Sequence, residues 1–141
     1  MLRTYDPKMI VIIVGAAIIT GLGEDTFVSI EEVGDGVTSV SGADGEVARS
    51  MSADRRARIT LTLQQTSLSN AALSALLQID RASGGSGAFP VAVTDLRGTS
   101  LMSASEAWIV KSPTAEYAAT VGTREWVIEC ASSIFFVGGN L

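Results

Sequence analysis

The sequence predicts a mainly β chain of seven to nine strands with one flanking α-helix. Three observations carry this. Residues 58–65 alternate strictly between apolar and polar side chains, the period of a half-buried strand. Several other short runs are rich in Val, Ile, Thr and aromatic residues and are bounded by Gly, Pro or Asp. One stretch alone carries leucines at helical spacing.

Taken in order, residues 9–19 form an unbroken apolar run behind Arg3 and Lys8. A basic start and a short apolar run are also the pattern of a secretory leader. The run is followed by Thr20-Gly21-Leu22-Gly23-Glu24 rather than a small-x-small cleavage site, and Ile and Val favour strands. It falls short of the roughly 20 residues that a membrane span needs. A buried strand pair bending near Gly15 is the expectation. Residues 26–33 read as a strand, Asp35-Gly36 as a turn, and residues 37–41 as the returning strand of a hairpin. Residues 42–56 form a polar segment without sustained period, either a mobile hairpin tip or a segment that orders on a partner.

In residues 58–65, Ile59, Leu61 and Leu63 face a core while Arg58, Thr60, Thr62 and Gln64 face a polar environment. A helix follows over 67–83. Ser67 is its expected N-cap, Leu73, Leu76 and Leu77 its apolar stripe, and Gly84-Gly85 its end. Further strands are expected over residues 89–95, 100–111, 118–131 and 133–137, with turns at Arg97-Gly98 and Ser112-Pro113-Thr114. Trp108 and Trp126 are large enough to anchor a core or an interface. A single domain over 1–141 suits this length.

The composition excludes much chemistry. There is no histidine, so neither a Ser-His-Asp nor a Cys-His site can exist. The single Cys130 permits no internal disulfide and reads as a buried, inert thiol. Asp44-Gly45-Glu46 lacks the spacing of a calcium loop. Glu24-Asp25 and Glu31-Glu32 are adjacent, so strand geometry turns each pair to opposite faces. No enzyme, metal or cofactor is expected. The charged fraction of 18% is below the usual value of about 25%, so surface must be hidden, for instance by copies of the same chain. The net charge of −5 argues against a broad phosphate-binding surface. Residues 9–48 hold seven acids and no Lys or Arg, while residues 49–58 hold four Arg against Asp54.

Several motifs together resemble the phage tail tube protein family. They are Gly42-Ala43-Asp44-Gly45-Glu46-Val47-Ala48-Arg49, then Asp54-Arg55, then residues 59–67 with Ser69-Asn70. Glu106-Ala107-Trp108-Ile109, Arg124-Glu125-Trp126 and Phe136-Val137-Gly138-Gly139-Asn140 extend the resemblance over nearly the whole chain. The apolar run at 9–19 departs from the more polar, alternating strand pair expected there.

The resemblance implies two packed antiparallel sheets, a β-sandwich or barrel-like fold with one flanking helix. It also implies a virion structural protein assembled in the host cytoplasm. Hexameric rings would stack into a tail tube through which the genome passes without specific binding. Sheath, tape-measure, baseplate and tail terminator proteins are the implied partners, with no membrane. A contractile tail is favoured, and a type VI-like secretion or pyocin-like injection tube is the alternative. On this reading Ser29, Glu31, Thr38, Thr60, Thr62 and Gln64 face the lumen, whose wall is expected to be acidic. Asp44, Glu46, Arg49, Asp54, Arg55 and Arg56, within loop 42–56, are expected to direct stacking between rings by charge.

Overall fold

The computed structural model describes residues 1–141, with ten strands, one α-helix and a 3-10 turn at Pro7–Met9. Strands β1 (Ile10–Val14) and β2 (Ala17–Ile18) pair antiparallel across a turn at Gly15, as the apolar run implies. Then come β3 (Val28–Glu32), β4 (Val37–Ser41), β5 (Val47–Met51), β6 (Ala57–Gln64) and α1 (Ser69–Ala82). The chain finishes with β7 (Phe89–Asp95), β8 (Leu101–Lys111), β9 (Thr123–Cys130) and β10 (Ser133–Phe136). The fold is mainly β and antiparallel throughout, in two sheets of unequal size. Eight strands form one sheet in the order β2-β1-β7-β8-β9-β6-β3, with β10 beside β8, while β4 and β5 form a separate pair.

The large sheet wraps on itself. After β2 the chain leaves β1 and crosses to β6. The Ile19 N–H donates to Ile12 O at 2.9 Å; the Gln64 N–H then donates to Gly21 O at 2.7 Å and the Gly23 N–H to Thr62 O at 2.8 Å. Residues 21–23 thus join opposite ends of the sheet. Gly21 has φ +69°, and a Cβ there would lie 2.6 Å from the Ser67 side chain, so only glycine fits the crossing. Alternate residues of β1, β6, β7, β8 and β9 point into a single apolar interior of 19 buried residues. Ile59, Leu61 and Leu63 lie fully inside, as the alternation requires.

Helix α1 adds Leu73 and Leu77 to that interior. Its start is sewn to the crossing segment. The Ser67 Oγ–H donates to Thr20 O at 2.6 Å, the Ser67 Oγ in turn accepts the Ser69 N–H at 3.2 Å, and the Ser69 Oγ accepts the Thr20 N–H at 2.9 Å. The helix begins at Ser69 with Leu68 at the cap position and no side-chain cap bond there, so the expected Ser67 N-cap is corrected by one residue, although the Ser67 hydroxyl still accepts the first helical N–H. Gly84 and Gly85, at φ +70° and +100°, end the helix. Asn70 ties three elements. Its Nδ2 donates to Gln64 O and Ser67 O, and its Oδ1 accepts the indole N–H of Trp126 at 2.9 Å. Trp126 is buried at 1% exposure, so this is the partner its indole needs inside the core.

Three local expectations are corrected. Residues 26–33 and 37–41 do not form a hairpin; β3 pairs with β6, and β4 with β5. Pairing with β6 sets Val28 opposite Leu61 and Ile30 opposite Ile59, at the edge of the core. That burial outweighs the proximity of Asp35-Gly36. Residues 42–56 are not a continuous loop, because Val47–Met51 is a strand and only residues 42–46 make the turn. Residues 118–122 are not strand. The β8–β9 connection runs over 112–122 and is held by Arg124, whose guanidinium donates to Glu116 O at 3.1 Å and lies 5.3 Å from the Tyr117 ring centre. Gln65 also holds it, through both its backbone N–H and its side-chain carbonyl to Gly122.

Cys130 is fully buried, and burial, followed by the adjacent Glu129 charge, pushes its thiol up to about 11. At pH 8 only about one thiol in a thousand is then ionised, against roughly one in ten for the ordinary group. Thiol reagents should react with the folded chain at least about 100-fold more slowly than with the denatured one. Because the folded state holds this proton more tightly, its stabilising contribution is present below pH 9 and is lost as pH rises toward 11. Urea titrations at pH 8 and 10.5 read the sign. Asn70→Ala should cost about 1–3 kcal/mol in urea unfolding, because the Trp126 indole N–H is left unpaired in the core.

Candidate assembly surface

No group of three or more His, Cys, Asp or Glu side chains is arranged to hold a metal ion. What the fold presents instead are faces. Strand register gives their composition, because residues directly opposite in an antiparallel pair share a side of the sheet.

The outer face divides in two. Over β3, β6, β9 and the end of β8, one row reads Glu31, Arg58, Glu129, Trp108 and the next reads Ser29, Thr60, Val127, Lys111. Thr62 then lies opposite Glu125, and Gln64 opposite Thr123. The structure therefore brings together Ser29, Glu31, Thr60, Thr62 and Gln64 on one polar face. Thr38 is apart from them, opposite Ser50 in the small sheet. Along its strands this face carries Glu31, Glu125 and Glu129 together with Arg58 and Lys111. Arg58 stands between Glu31 and Glu129, where cross-strand attraction favours it, and Arg56 reaches Glu129 from the base of the β4–β5 pair.

The other half carries no charge. Its rows read Ile18, Ile13, Ala92, Ser103, Ile134 and Val11, Thr94, Leu101, Phe136. Ile18, Ile134 and Phe136 are 65%, 71% and 59% exposed. A contiguous apolar face of this kind marks a contact surface. Within-strand alternation shows which residues point outward, but the sequence does not say that these five strands are neighbours.

The β4–β5 pair projects from the body, with all ten residues exposed. One side bears Val37, Ser39, Ser41, Val47, Arg49 and Met51; the other bears Thr38, Val40, Ala48 and Ser50. The stacking residues fall into distinct environments. Asp44 and Glu46 occupy the turn, where the Asp44 carboxylate accepts the Glu46 N–H at 3.0 Å. Arg49 stands on the stem without an ionic partner. Asp54, Arg55 and Arg56 lie at the base. The Arg56 guanidinium donates to both Asp54 oxygens at 3.0–3.2 Å and reaches the Glu129 carboxylate at 3.4 Å. The hydrogen bond from Arg56 holds the Asp54 carboxyl below its usual range, and Asp54 in turn raises the Arg56 value. The Arg55 guanidinium donates to Ser52 O at 2.8 Å. The Val33 N–H to Arg56 O and the Ser52 N–H to Gly36 O complete a pinned base.

A cavity of about 600 Å³ opens where β3 fails to meet β1, β7 and β10. It exposes the apolar interior through Ile10, Phe27, Ile30, Val93 and Phe135, and its only charged lining residues are Asp25 and Asp95. Sequence reasoning missed it, because its walls come from segments far apart in the chain.

A family model described as bacteriophage PhiTE tail tube protein matches residues 9–137. Structural protein ORF10 of Pseudomonas phage KPP10 is 36% identical over 144 residues, covering 97% of this chain and 83% of that protein. Two solved structures share the fold at low identity. The tube-terminating cap of the anti-feeding prophage has a TM-score of 0.59 at 9% identity, covering 96% of this chain and 93% of that one. The sheath/tube terminator of an extracellular contractile injection system, PVC, has 0.56 at 13% identity, covering 96% and 99%. The apolar run at 9–19 falls wholly inside the matched region and forms an ordinary strand pair. A mainly β chain with no catalytic or metal cluster, matched along nearly its full length, belongs to the phage tail tube protein family, whose members are structural proteins of the virion and not enzymes.

Proposed function

We propose that this chain forms the tail tube itself, as hexameric rings stacked head to tail around a channel for genome ejection. The observation that carries the reading is the division of the outer sheet face. An uncharged apolar half is suited to burial against neighbouring copies, and a hydrated half is suited to a channel wall. Ser29, Glu31, Thr60, Thr62 and Gln64 supply the wall, with DNA passing and not held. On that wall Arg58 stands between Glu31 and Glu129, and Lys111 lies apart from it, so the face offers no cluster of free Lys and Arg to bind phosphates. Repeated heterologous contact along one axis is the symmetry that yields an open filament. Ring closure also shields the free edges of β3 and β10.

The likeness to terminators of contractile injection systems supports a contractile tail, with a sheath outside the tube and tape-measure, baseplate and terminator proteins as partners. Assembly in the host cytoplasm follows from that role. The same likeness favours one second reading, a terminating ring that caps a tube. A secretion or pyocin-like tube would use the same faces.

Negative-stain images of concentrated protein should show hollow tubes of stacked rings. Isolated rings would favour the cap, and monomers at every concentration would overturn both readings. Asp44→Lys with Glu46→Lys reverses the tip charge without touching the pinned base and should shorten the tubes. Unchanged tube length would exclude the tip from stacking.

A further inference from the structure

The β4–β5 pair and the open cavity are each incomplete alone. A two-stranded hairpin is marginal by itself in water, yet this one buries none of its ten residues. The cavity leaves an apolar interior open to solvent through Phe27, Ile30 and Phe135. The hairpin cannot fold back into its own cavity while Val33, Gly36, Ser52 and the Asp54–Arg56–Glu129 cluster pin its base. We infer that the hairpin of one copy seats in the cavity of a second copy of this chain, with Val37, Val47 and Met51 against its apolar wall and Arg49 between Asp25 and Asp95.

Complementarity in both polarity and charge selects this occupant. The hairpin side with Arg49 bears three apolar residues and a single cation. The cavity bears a mainly apolar wall with two carboxylates and no Lys or Arg. A guanidinium entering an apolar site needs such a partner, since an unpaired buried charge is strongly destabilising. The uncharged apolar face over β1, β7 and β10 offers Arg49 no counter-charge, so it is a poorer seat. The uncharged hairpin side with Thr38, Val40, Ala48 and Ser50 then turns away from the contact, the orientation that lets Thr38 meet the channel. Ten residues are fewer than the roughly 20–30 that each partner gives to a standard interface. One seat is therefore weak, and repetition along the assembly supplies its strength.

This seat rests on the self-assembly reading, and the test separates the two. Asp25, Arg49, Thr26 and Met51 are all exposed, so substitution leaves the monomer fold intact, as circular dichroism would verify. Arg49→Glu and Asp25→Arg should each raise the concentration at which rings or tubes form by about tenfold. The two combined should restore assembly toward the parent. With the native thiol buried, Thr26→Cys and Met51→Cys in one chain should give disulfide-linked multimers in the assembled fraction. If both single reversals assemble like the parent, or if Met51→Cys links to Thr60→Cys rather than Thr26→Cys, the cavity is not the seat, although the tube stands. If the parent forms no ring or tube at any concentration, the assembly reading falls and the seat falls with it.

Discussion

The crossing of residues 19–23 from β1 to β6 is the contact on which the remainder depends. Backbone hydrogen bonds at Ile19, Gly21 and Gly23 turn an open eight-stranded sheet into a wrapped one with a single interior. Without that closure, the inward residues of β1 and β6 would lie on a flat sheet with one face in water. With it, Ile12, Ile59, Leu61, Met102, Trp126 and Ile128 share one core, and the outward residues form one continuous exterior. The same segment receives the helix start through Thr20, so sheet closure and helix docking are mechanically one event.

The closure is incomplete on one side, and that is where the chain becomes a component and not a finished globule. The interior stays open between β3 and β10. The segment between β3 and β6 is spent on a projecting hairpin that shields nothing in its own chain. Outside, the charged half and the uncharged half are set by which strands are neighbours. A monomer with an open core, a bare hairpin and an apolar flank has unmet contacts on several sides.

Much of this was legible. The alternation of residues 58–65 identified β6 and its inward face, because one side chain in two must meet the core. Residues 89–95 and the Leu73 and Leu77 stripe were readable for the same reason of period. The hairpin partner was not readable. Asp35-Gly36 is a sound local turn signal, but the choice between β4 and β6 as the neighbour of β3 rests on burial of Val28 and Ile30, a long-range term. Of the residues on the polar outer face, Thr60, Thr62 and Gln64 followed from one strand's alternation, and Ser29 and Glu31 joined them only through register with β6. A linear count of charges could not show Arg58 placed between Glu31 and Glu129.

By itself, the sequence determined the mainly β class, the one helix, the inward side of each well-alternating strand and the exclusion of any histidine-based site. These depend on residue type and on spacing within a few positions, which the chain carries locally. The tertiary structure alone decided strand order, the split of the exterior into charged and apolar halves, the projection of the β4–β5 pair and the open cavity. Each of these arises where segments tens of residues apart compete for the same hydrogen-bonding edge or the same core. That competition is settled by total burial across the whole chain, a quantity that no local pattern contains.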